Sequence, residues 1–242
     1  MRYAIISDIH SNLEALTAVF EHIDTQNADE IICLGDIVGY GPNPNECIDL
    51  VRTHCSIVLQ GNHDFASLDS SRADYFNEYA RKAIYWTIEC LEESKSAFLS
   101  SLPLAGKAGG ALFVHASPEE PVAWNYIFSL DDAIRNFSYF DTPVCFHGHS
   151  HIPINYIQSD EHDFCINKDV EIYINENEKY LINVGSVGQP RDGNPDGAYG
   201  MFDSETKEFR LHRVAYDVAT VQNKMRGFDL PLFLIRRLET GR

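Results

Sequence analysis

The segment Tyr3-Ala-Ile-Ile-Ser-Asp-Ile-His10 sets the fold class of this chain, because it joins an apolar run to a polar end. A short apolar run of this kind is typical of a buried strand. Asp8 and His10 stand at its carboxyl end, and residues 12–26 then show apolar side chains at helical spacing. Strands followed by helices build α/β sheets, whose strand ends carry the chemistry. The segment therefore predicts an α/β fold with a polar site at a strand end.

The same arrangement recurs four more times along the chain, each time as an apolar, β-branched segment that ends in residues able to bind metal. These further clusters are Gly35-Asp36, Gly61-Asn62-His63-Asp64, His115 and Gly148-His149-Ser150-His151. All five clusters offer nitrogen and oxygen and no sulfur. Such a set favours Mn, Fe, Zn, Co or Ni over a sulfur-type structural zinc site. Five clusters in series predict a site for two metal ions.

Each cluster alone also has a structural explanation. Asp8 and Asp36 can cap helices or form turns, and Gly61-Asn62 suits a polar turn. A single histidine at a strand end, such as His115, is more often structural than a ligand. We interpret His147 as structural, because its side chain points away from at least one of the two histidines that follow. None of these explanations accounts for ligand residues at five successive strand ends.

The spacing within the clusters suits metal chemistry at phosphorus. Residues i and i+2 of an extended segment face the same side, so Asp8 and His10 can grip one ion, as can His149 and His151. A carboxylate such as Asp36 can bridge two cations, which a single histidine cannot. Two cations about 3.5–4 Å apart suit in-line displacement, in which one activates a hydroxide and both stabilise the phosphoryl oxygens. The clusters therefore predict hydrolysis of a phosphate ester.

Length and charge limit the remaining possibilities. The 242 residues, 44 % of them hydrophobic, suit a single domain over residues 1–242 with a sizeable core. A formal net charge of -17 repels nucleic acid and anionic membranes, so we expect neither as a bulk partner. A phosphate-bearing small molecule remains compatible, because bound cations invert the local field. The oligomeric state stays open between a monomer and a homo-oligomer.

Cysteine use and the amino terminus indicate the compartment. The six cysteines form no Cys-x-x-Cys pair and mostly stand in apolar segments, which favours buried free thiols over disulfides. The chain starts with a core strand rather than a signal segment, and no apolar run is long enough to span a bilayer. We therefore expect a cytoplasmic protein.

The remaining elements follow from periodicity and turn residues. The first sixty residues predict the order β-α-β-α-β, and residues 74–99 predict helix, as one element or as two broken near Glu92. Strands are expected over residues 111–114 and 143–146, with a helix over residues 130–137 between them, opened by Ser129. Alternating segments after residue 152 predict several strands of a second sheet. The tail over residues 217–237 predicts one or two helices, split at Pro231.

In these clusters the chain resembles the calcineurin-like metallophosphoesterase family. The family's motifs are Asp-x-His, Gly-Asp, Gly-Asn-His-Asp/Glu, a single His and Gly-His-x-His, and all occur in this order over residues 8–151. The resemblance implies an α/β (α+β) fold, a four-layer αββα sandwich of two mixed β-sheets flanked by helices. It implies one ion held by Asp8, His10, Asp36 and His151, and a second held by Asp36, Asn62, His115 and His149. It also implies that His63 binds no metal and either protonates the leaving oxygen or holds the phosphate.

Longer segments are similar to a narrower bacterial and archaeal group of small phosphodiesterases, often compared with diadenosine tetraphosphatases. They are Ser7-Asp-Ile-His-Ser-Asn-Leu-Glu-Ala-Leu, Gly35-Asp-Ile-Val-Gly-Tyr-Gly-Pro and Asn183-Val-Gly-Ser-Val-Gly-Gln-Pro-Arg-Asp-Gly. Within them Asn12, Tyr40 and Arg191 are candidate substrate contacts, since a guanidinium after a glycine-rich turn can meet a phosphate. Each also has an ordinary alternative: Asn12 as a helix cap, Tyr40 as packing and Arg191 as the ion-pair partner of Asp192.

Two classes of function follow. The first is a two-metal phosphoesterase, with manganese among the candidate ions, that cleaves a small phosphodiester or nucleotide-type ester by metal-activated hydroxide attack. Within this class a phosphomonoesterase, a protein phosphatase and a dinucleoside polyphosphate hydrolase remain open. The second is a binding scaffold without chemistry, similar to the retromer subunit of this fold. Scaffolds on this fold can lose the histidine at position 63 or the ligands, and this chain has kept all of them, which favours the enzyme.

Overall fold

The computed structural model describes residues 1–160 and 162–242, without the side chain of residue 75. The strands are β1 (Arg2–Ile6), β2 (Glu30–Cys33), β3 (Ile57–Val58), β4 (Ala105–Ala108), β5 (Ala111–Val114), β6 (Val144–His147), β7 (Ile154–Asp160), β8 (Asp163–Asn167), β9 (Glu171–Tyr173), β10 (Lys179–Asn183), β11 (Gly197–Asp203) and β12 (Glu208–Val214). The α-helices are α1 (Leu13–Thr25), α2 (Pro44–His54), α3 (Asn62–Ala66), α4 (Glu78–Cys90), α5 (Glu93–Ser100), α6 (Leu130–Asn136), α7 (Val218–Gly227) and α8 (Leu232–Thr240). Short 3-10 helices cover Ser70–Tyr75, Pro121–Ala123 and Phe137–Tyr139.

Helix α1 shows how the sequence specifies these elements. Its first turn is capped by Asn12, whose Oδ1 accepts the backbone N–H of Ala15 at 3.1 Å. Leu16, Val19 and Ile23 follow at helical spacing and are fully or almost fully buried. Burial of each such side chain stabilises the fold by about 1.5–3 kcal/mol. The cap and the apolar stripe together start the helix and dock it on the sheet.

Two six-stranded sheets form the centre of the molecule, with strand orders β3-β2-β1-β11-β12-β9 and β4-β5-β6-β10-β7-β8. In the first sheet β1, β2 and β3 are parallel, and β11, β12 and β9 continue antiparallel. In the second sheet β5, β6 and β10 are parallel, while β4, β7 and β8 are antiparallel to their neighbours. Both sheets are therefore mixed.

Alternation along β1 explains the layering. Tyr3 and Ile5 point into the core between the two sheets, where they join Phe113 and Phe146 of the second sheet. Ala4 and Ile6 point the other way, into a core that the first sheet shares with α1, α2 and α5. A third core lies between the outer face of the second sheet and α6. These three cores give the four-layer αββα sandwich, and the predicted fold class is confirmed.

The order β-α-β-α-β is confirmed, as are two helices meeting near Glu92 and two tail helices separated by Pro231. Two strands lay outside the prediction: β4, with the sequence Ala-Gly-Lys-Ala, and β8. The predicted second sheet contains β7, β8 and β10, but β9, β11 and β12, which also follow residue 152, extend the first sheet. Alternation identifies a strand but leaves its pairing partner open.

The longest helices, α1 and α4, have 13 residues each. Within residues 1–160 and 162–242, no helix combines the length and the apolar character needed to cross a bilayer.

Candidate metal centre

The carboxyl ends of five strands meet at one edge of the sandwich. Those strands are β1, β2 and β3 of the first sheet and β5 and β6 of the second, and each lies parallel to a neighbour in its own sheet. The residues directly after them are the five clusters found in the sequence. We call the seven residues that the resemblance assigns to metal the candidate ligands: Asp8, His10, Asp36, Asn62, His115, His149 and His151.

One group of candidate ligands surrounds Asp8. The Oδ1 atom of Asp8 lies 3.3 Å from His151 Nε2 and 3.8 Å from His10 Nε2. The two histidine Nε2 atoms are themselves 3.1 Å apart. All three side chains are buried, and their ligand atoms lie within 4.8 Å of one another. Three donor atoms thus face a common point.

A second group surrounds Asp36. Its Oδ2 lies 3.4 Å from His115 Nε2 and 3.6 Å from His10 Nε2, so this carboxylate faces both groups. His149 completes a set with Asp36 and His115 whose ligand atoms also lie within 4.8 Å of one another. Asn62 Oδ1 approaches His115 Nε2 at 3.1 Å. The structure therefore brings together all seven candidate ligands, with Asp36 between the two groups.

The histidine tautomers suit cation binding. The Nδ1 atoms of His10, His115 and His151 face the backbone oxygens of Val38, Leu34 and Gln189, at 3.1, 3.2 and 2.6 Å. Donation of Nδ1–H to these carbonyls leaves each Nε2 lone pair directed into the cluster. Histidines that bind metals are commonly held in this way.

Two contacts are difficult to explain without a cation. The Nε2 atoms of His10 and His151, each bearing a lone pair in this tautomer, lie 3.1 Å apart and repel one another. Asp8 Oδ1 is buried and has no hydrogen-bond partner. A buried, unpaired carboxylate oxygen is costly. The donor set of imidazole nitrogens and carboxylate oxygens therefore fits divalent first-row metals.

Electrostatics in the cluster favour positive charge. Burial raises the pKa of the Asp36 carboxyl, but the neighbouring histidines, His115 first, outweigh burial and hold this pKa well below its usual range. Burial lowers the pKa of His115, while Asp36 and then Asp8 raise it to about 9. The two buried carboxylates therefore attract a cation, and a metal ion competes with the proton for the same nitrogen.

The backbone at the candidate ligands is unusual. Asp8, His10, Asp36, His149 and His151 all have positive φ, between 51° and 66°. A non-glycine residue in the left-handed region costs on the order of 1–3 kcal/mol and persists only where the surroundings enforce it. Asp, Asn and His tolerate this region better than other side chains. The clusters therefore unite ligand chemistry with a backbone that only a few residue types adopt.

His63 lies beside the candidate ligands at the start of α3. Its ring contacts Tyr40, with centroids 4.3 Å apart, and Phe76, with centroids 4.7 Å apart. Its Nδ1 is buried without a hydrogen-bond partner. Burial, and to a smaller degree Arg191, lower the pKa of His63 to about 4, against the opposing effect of Asp36. The ring is neutral at pH 7, and a phosphate anion beside it raises the pKa again.

Asp64 follows His63 in the chain, but its carboxylate is used by the backbone and not by the His63 ring. Its Oδ1 accepts the backbone N–H groups of Ile37 at 2.9 Å and Val38 at 3.1 Å. Its Oδ2 accepts the N–H of Gly61 at 2.9 Å. Asp64 therefore connects the loop after β2 with the loop after β3. The rings of Tyr40 and Phe76 hold the His63 ring in place.

A cavity of about 770 Å³ opens onto the cluster. Tyr40 and Arg191, two of the candidate substrate contacts, line it together with Asn62, His63 and His149. Asn12, the third candidate, is 1 % exposed, and its Nδ2 donates to Gly188 O at 2.8 Å while its Oδ1 caps α1. The structure thus gives Asn12 the role of a helix cap.

The cavity also contains residues that sequence reasoning missed. Trp124 and Tyr126 come from the loop after β5, and the Tyr126 ring stacks on His149 with centroids 3.9 Å apart. Arg237 comes from α8, far along the chain. No local motif marks these residues, because only the folded chain brings them to the strand ends.

Comparison with known sequences finds a family model and a relative that match this chain. A model of the calcineurin-like phosphoesterase superfamily domain matches residues 1–207. An uncharacterized protein of Methanocaldococcus jannaschii is 44 % identical over 245 residues, covering 99 % of this chain and 98 % of that protein.

Two solved structures share the whole fold. The crystal structure of a metallophosphoesterase from Sphaerobacter thermophilus is 42 % identical, with a TM-score of 0.88 over 100 % of this chain and 99 % of that chain. The structure of a hypothetical protein from Pyrococcus horikoshii has a TM-score of 0.80 over 100 % of this chain and 98 % of that chain, at 19 % identity. The second likeness shows the fold alone.

Proposed function

The chain belongs to the calcineurin-like phosphoesterase superfamily, and from this premise we propose that it is a two-metal phosphoesterase. Its proposed substrate is a small phosphodiester or a nucleotide-type phosphate ester. The supporting observation is the pair of buried carboxylates facing histidine Nε2 atoms whose tautomers are set by backbone carbonyls. The cytoplasmic location and the single domain over residues 1–242 stay predictions.

We assign the candidate ligands to two ions that share Asp36. The residues proposed for the first ion are Asp8, His10, Asp36 and His151. The residues proposed for the second ion are Asp36, Asn62, His115 and His149. Two bound divalent cations would stabilise charge on the phosphoryl oxygens and lower the pKa of a water molecule between them. Manganese is the proposed ion for assay, because N and O ligands suit it.

The chain's own side chains complete the proposed mechanism. His63 faces the cavity beside the cluster, where its ring can hold a phosphoryl oxygen or protonate the departing oxygen. Arg191 lines the same cavity, and its backbone N–H donates to His151 O at 3.2 Å, which holds the Arg191 main chain close to the candidate ligands. A guanidinium there can bind a phosphate group of the substrate and so orient the ester for attack.

Size and charge suit a small substrate. The cavity of about 770 Å³ is within the range that holds nucleotide-sized ligands. The net charge of -17 disfavours a long nucleic acid, which needs a basic surface. Nothing in the described part of the chain favours a scaffold over an enzyme.

The assay compares hydrolysis of bis-p-nitrophenyl phosphate with that of p-nitrophenyl phosphate by protein loaded with Mn²⁺. We expect turnover of the diester, abolished by a chelator and restored by Mn²⁺. A higher kcat/KM for the monoester would move the proposal to a phosphomonoesterase. No turnover of either ester by protein that demonstrably holds metal would contradict the enzymatic proposal itself.

A further inference from the structure

Two arginines in the cavity share one neutral acceptor. Arg191 Nη2 donates to Gln189 Oε1 at 2.8 Å, and Arg237 Nη1 donates to the same oxygen at 3.0 Å. Two guanidinium groups are thus held next to each other on the wall of the cavity that contains His63. Like charges this close repel, and this repulsion is relieved when an anion binds between them.

Neither guanidinium has an acidic side chain as its partner among residues 1–160 and 162–242. Asp192, which follows Arg191 in the chain, pairs with Arg213 instead. The Nε of Arg191 is buried without a hydrogen-bond partner. The Nε of Arg237 donates to the backbone oxygen of Arg242 at 2.9 Å, which leaves its Nη groups for the cavity.

The fold holds the pair firmly in place. Leu234, Ile235 and Leu238 of α8 are buried in a core that includes Tyr40, so the helix that carries Arg237 is anchored at the cavity. Arg191 lies over the Tyr40 ring, 5.6 Å from its centroid. Burial, followed by repulsion from Arg191, lowers the pKa of Arg237 to about 10. This group remains charged at pH 7.

We infer that Arg191 and Arg237 form a second anion subsite, which binds a phosphate group of the substrate other than the one that is hydrolysed. The substrate class is then an ester with a second phosphate, as in nucleoside diphosphates and polyphosphates. Anion binding by the two arginines does not depend on the proposed function. The claim that a different phosphate group of the same substrate is hydrolysed rests on it. Arg237 lies in helix α8, beyond residue 207 where the superfamily match ends, whereas Arg191 and Gln189 lie within the matched range.

The test measures binding rather than turnover. Titration calorimetry on Mn²⁺-loaded protein compares methylenediphosphonate, which carries two phosphonate groups, with methylphosphonate, which carries one. Neither probe has a bond that a phosphoesterase cleaves. We expect Arg237→Met to weaken methylenediphosphonate binding about tenfold, which is about 1.4 kcal/mol. Methylphosphonate binding should change less than about twofold, because a charge-assisted contact is lost only to the second group.

Further variants separate charge from packing. Arg236→Met removes the same charge from the neighbouring, exposed position of α8 and should leave both affinities within about twofold. Arg237→Lys should recover affinity to within about threefold of wild type, because the positive charge returns. Gln189→Glu keeps both arginines but places a carboxylate between them, so it should weaken methylenediphosphonate binding about tenfold.

The subsite proposal is overturned if Arg237→Met weakens the binding of both probes equally, or weakens the binding of neither. If Arg237→Met fails to fold in a thermal melt, Gln189→Glu decides on the same criterion. The proposed function fails separately, when metal-loaded wild type hydrolyses no ester. In that case the difference between the two probes still reports on the subsite.

Discussion

The carboxylate of Asp36 holds the backbone of His63, whose N–H donates to Oδ1 at 2.8 Å. The other oxygen of the same carboxylate lies 3.4 Å from His115 Nε2 and 3.6 Å from His10 Nε2. Gly61 permits this arrangement, because a Cβ at that position would lie 2.1 Å from Asp36 Oδ1. One side chain thus connects both groups of candidate ligands with the residue proposed to act on the leaving group.

Asp36→Asn tests this connection. An amide cannot bridge two cations with a full negative charge, so bound Mn²⁺ measured by mass spectrometry should fall by at least one ion per chain. The kcat/KM for bis-p-nitrophenyl phosphate should fall at least about 100-fold. Asp229→Asn is the matched control, since that carboxylate is 98 % exposed in a surface pair with Lys82. Full metal content and activity in Asp36→Asn would remove Asp36 from the site.

His63→Gln tests the proposed proton transfer. The variant should retain its metal content, while kcat falls by about 10²–10⁴ for an ester with a poor leaving group. The kcat of the variant should therefore fall further with diphenyl phosphate than with bis-p-nitrophenyl phosphate, because p-nitrophenolate leaves without a proton. His54→Gln, at an exposed position on α2, serves as the control. An equal defect for both esters points instead to a role in holding the phosphate.

Gly39→Ala tests whether packing positions the His63 ring. A Cβ at Gly39 would lie 2.4 Å from His63 Nδ1, and the φ of this glycine is +91°. Gly110→Ala is a matched control, with φ +80° and nothing within 4 Å of the added carbon. Both variants should lose about 1–2 kcal/mol of stability from the backbone conformation. Only Gly39→Ala should lower kcat, by about 100-fold, because it displaces the ring.

Metal removal should destabilise the folded protein. A chelator exposes the repulsion between the His10 and His151 Nε2 atoms, which lie 3.1 Å apart. Mn²⁺ at 100 times its Kd stabilises the fold by about 2.7 kcal/mol. For a chain of this size that shifts Tm upwards by roughly 5–11 °C. Thermal melts with EDTA and after back-titration check this, and an unchanged Tm in both speaks against metal at this site.

Much of the fold follows from the sequence, because strands and helices that enter the core carry their own periodicity. α1 is one example, with burial at helical spacing, and β1 is another, with a continuous apolar run whose side chains enter two cores in turn. β4 is different, since its sequence Ala-Gly-Lys-Ala is short, partly exposed and weak in β-propensity. The placement of β11 beside β1 rests on pairing between residues far apart in the chain, which no local pattern encodes.

The candidate site shows the same division. The sequence predicts Asp8, His10, Asp36 and the later histidines, because each stands a few residues after the end of a strand. It does not predict Arg237 and Trp124, since each reaches the cavity only through the packing of a distant helix or loop. Arg191 was a candidate with an ordinary alternative, and the pairing of Asp192 with Arg213 removes that alternative.

The left-handed backbone at Asp8, His10, Asp36, His149 and His151 bears on how an ion would enter and leave. The loops around these residues enforce this backbone, so the donor atoms would converge with little rearrangement when an ion binds. A preformed cage selects ions by radius, because its loops cannot relax around a larger one. Exchange of one ion for another would then be limited by opening of the buried cage. Release would be slow, and the first ion loaded would stay bound when a second kind of ion is added.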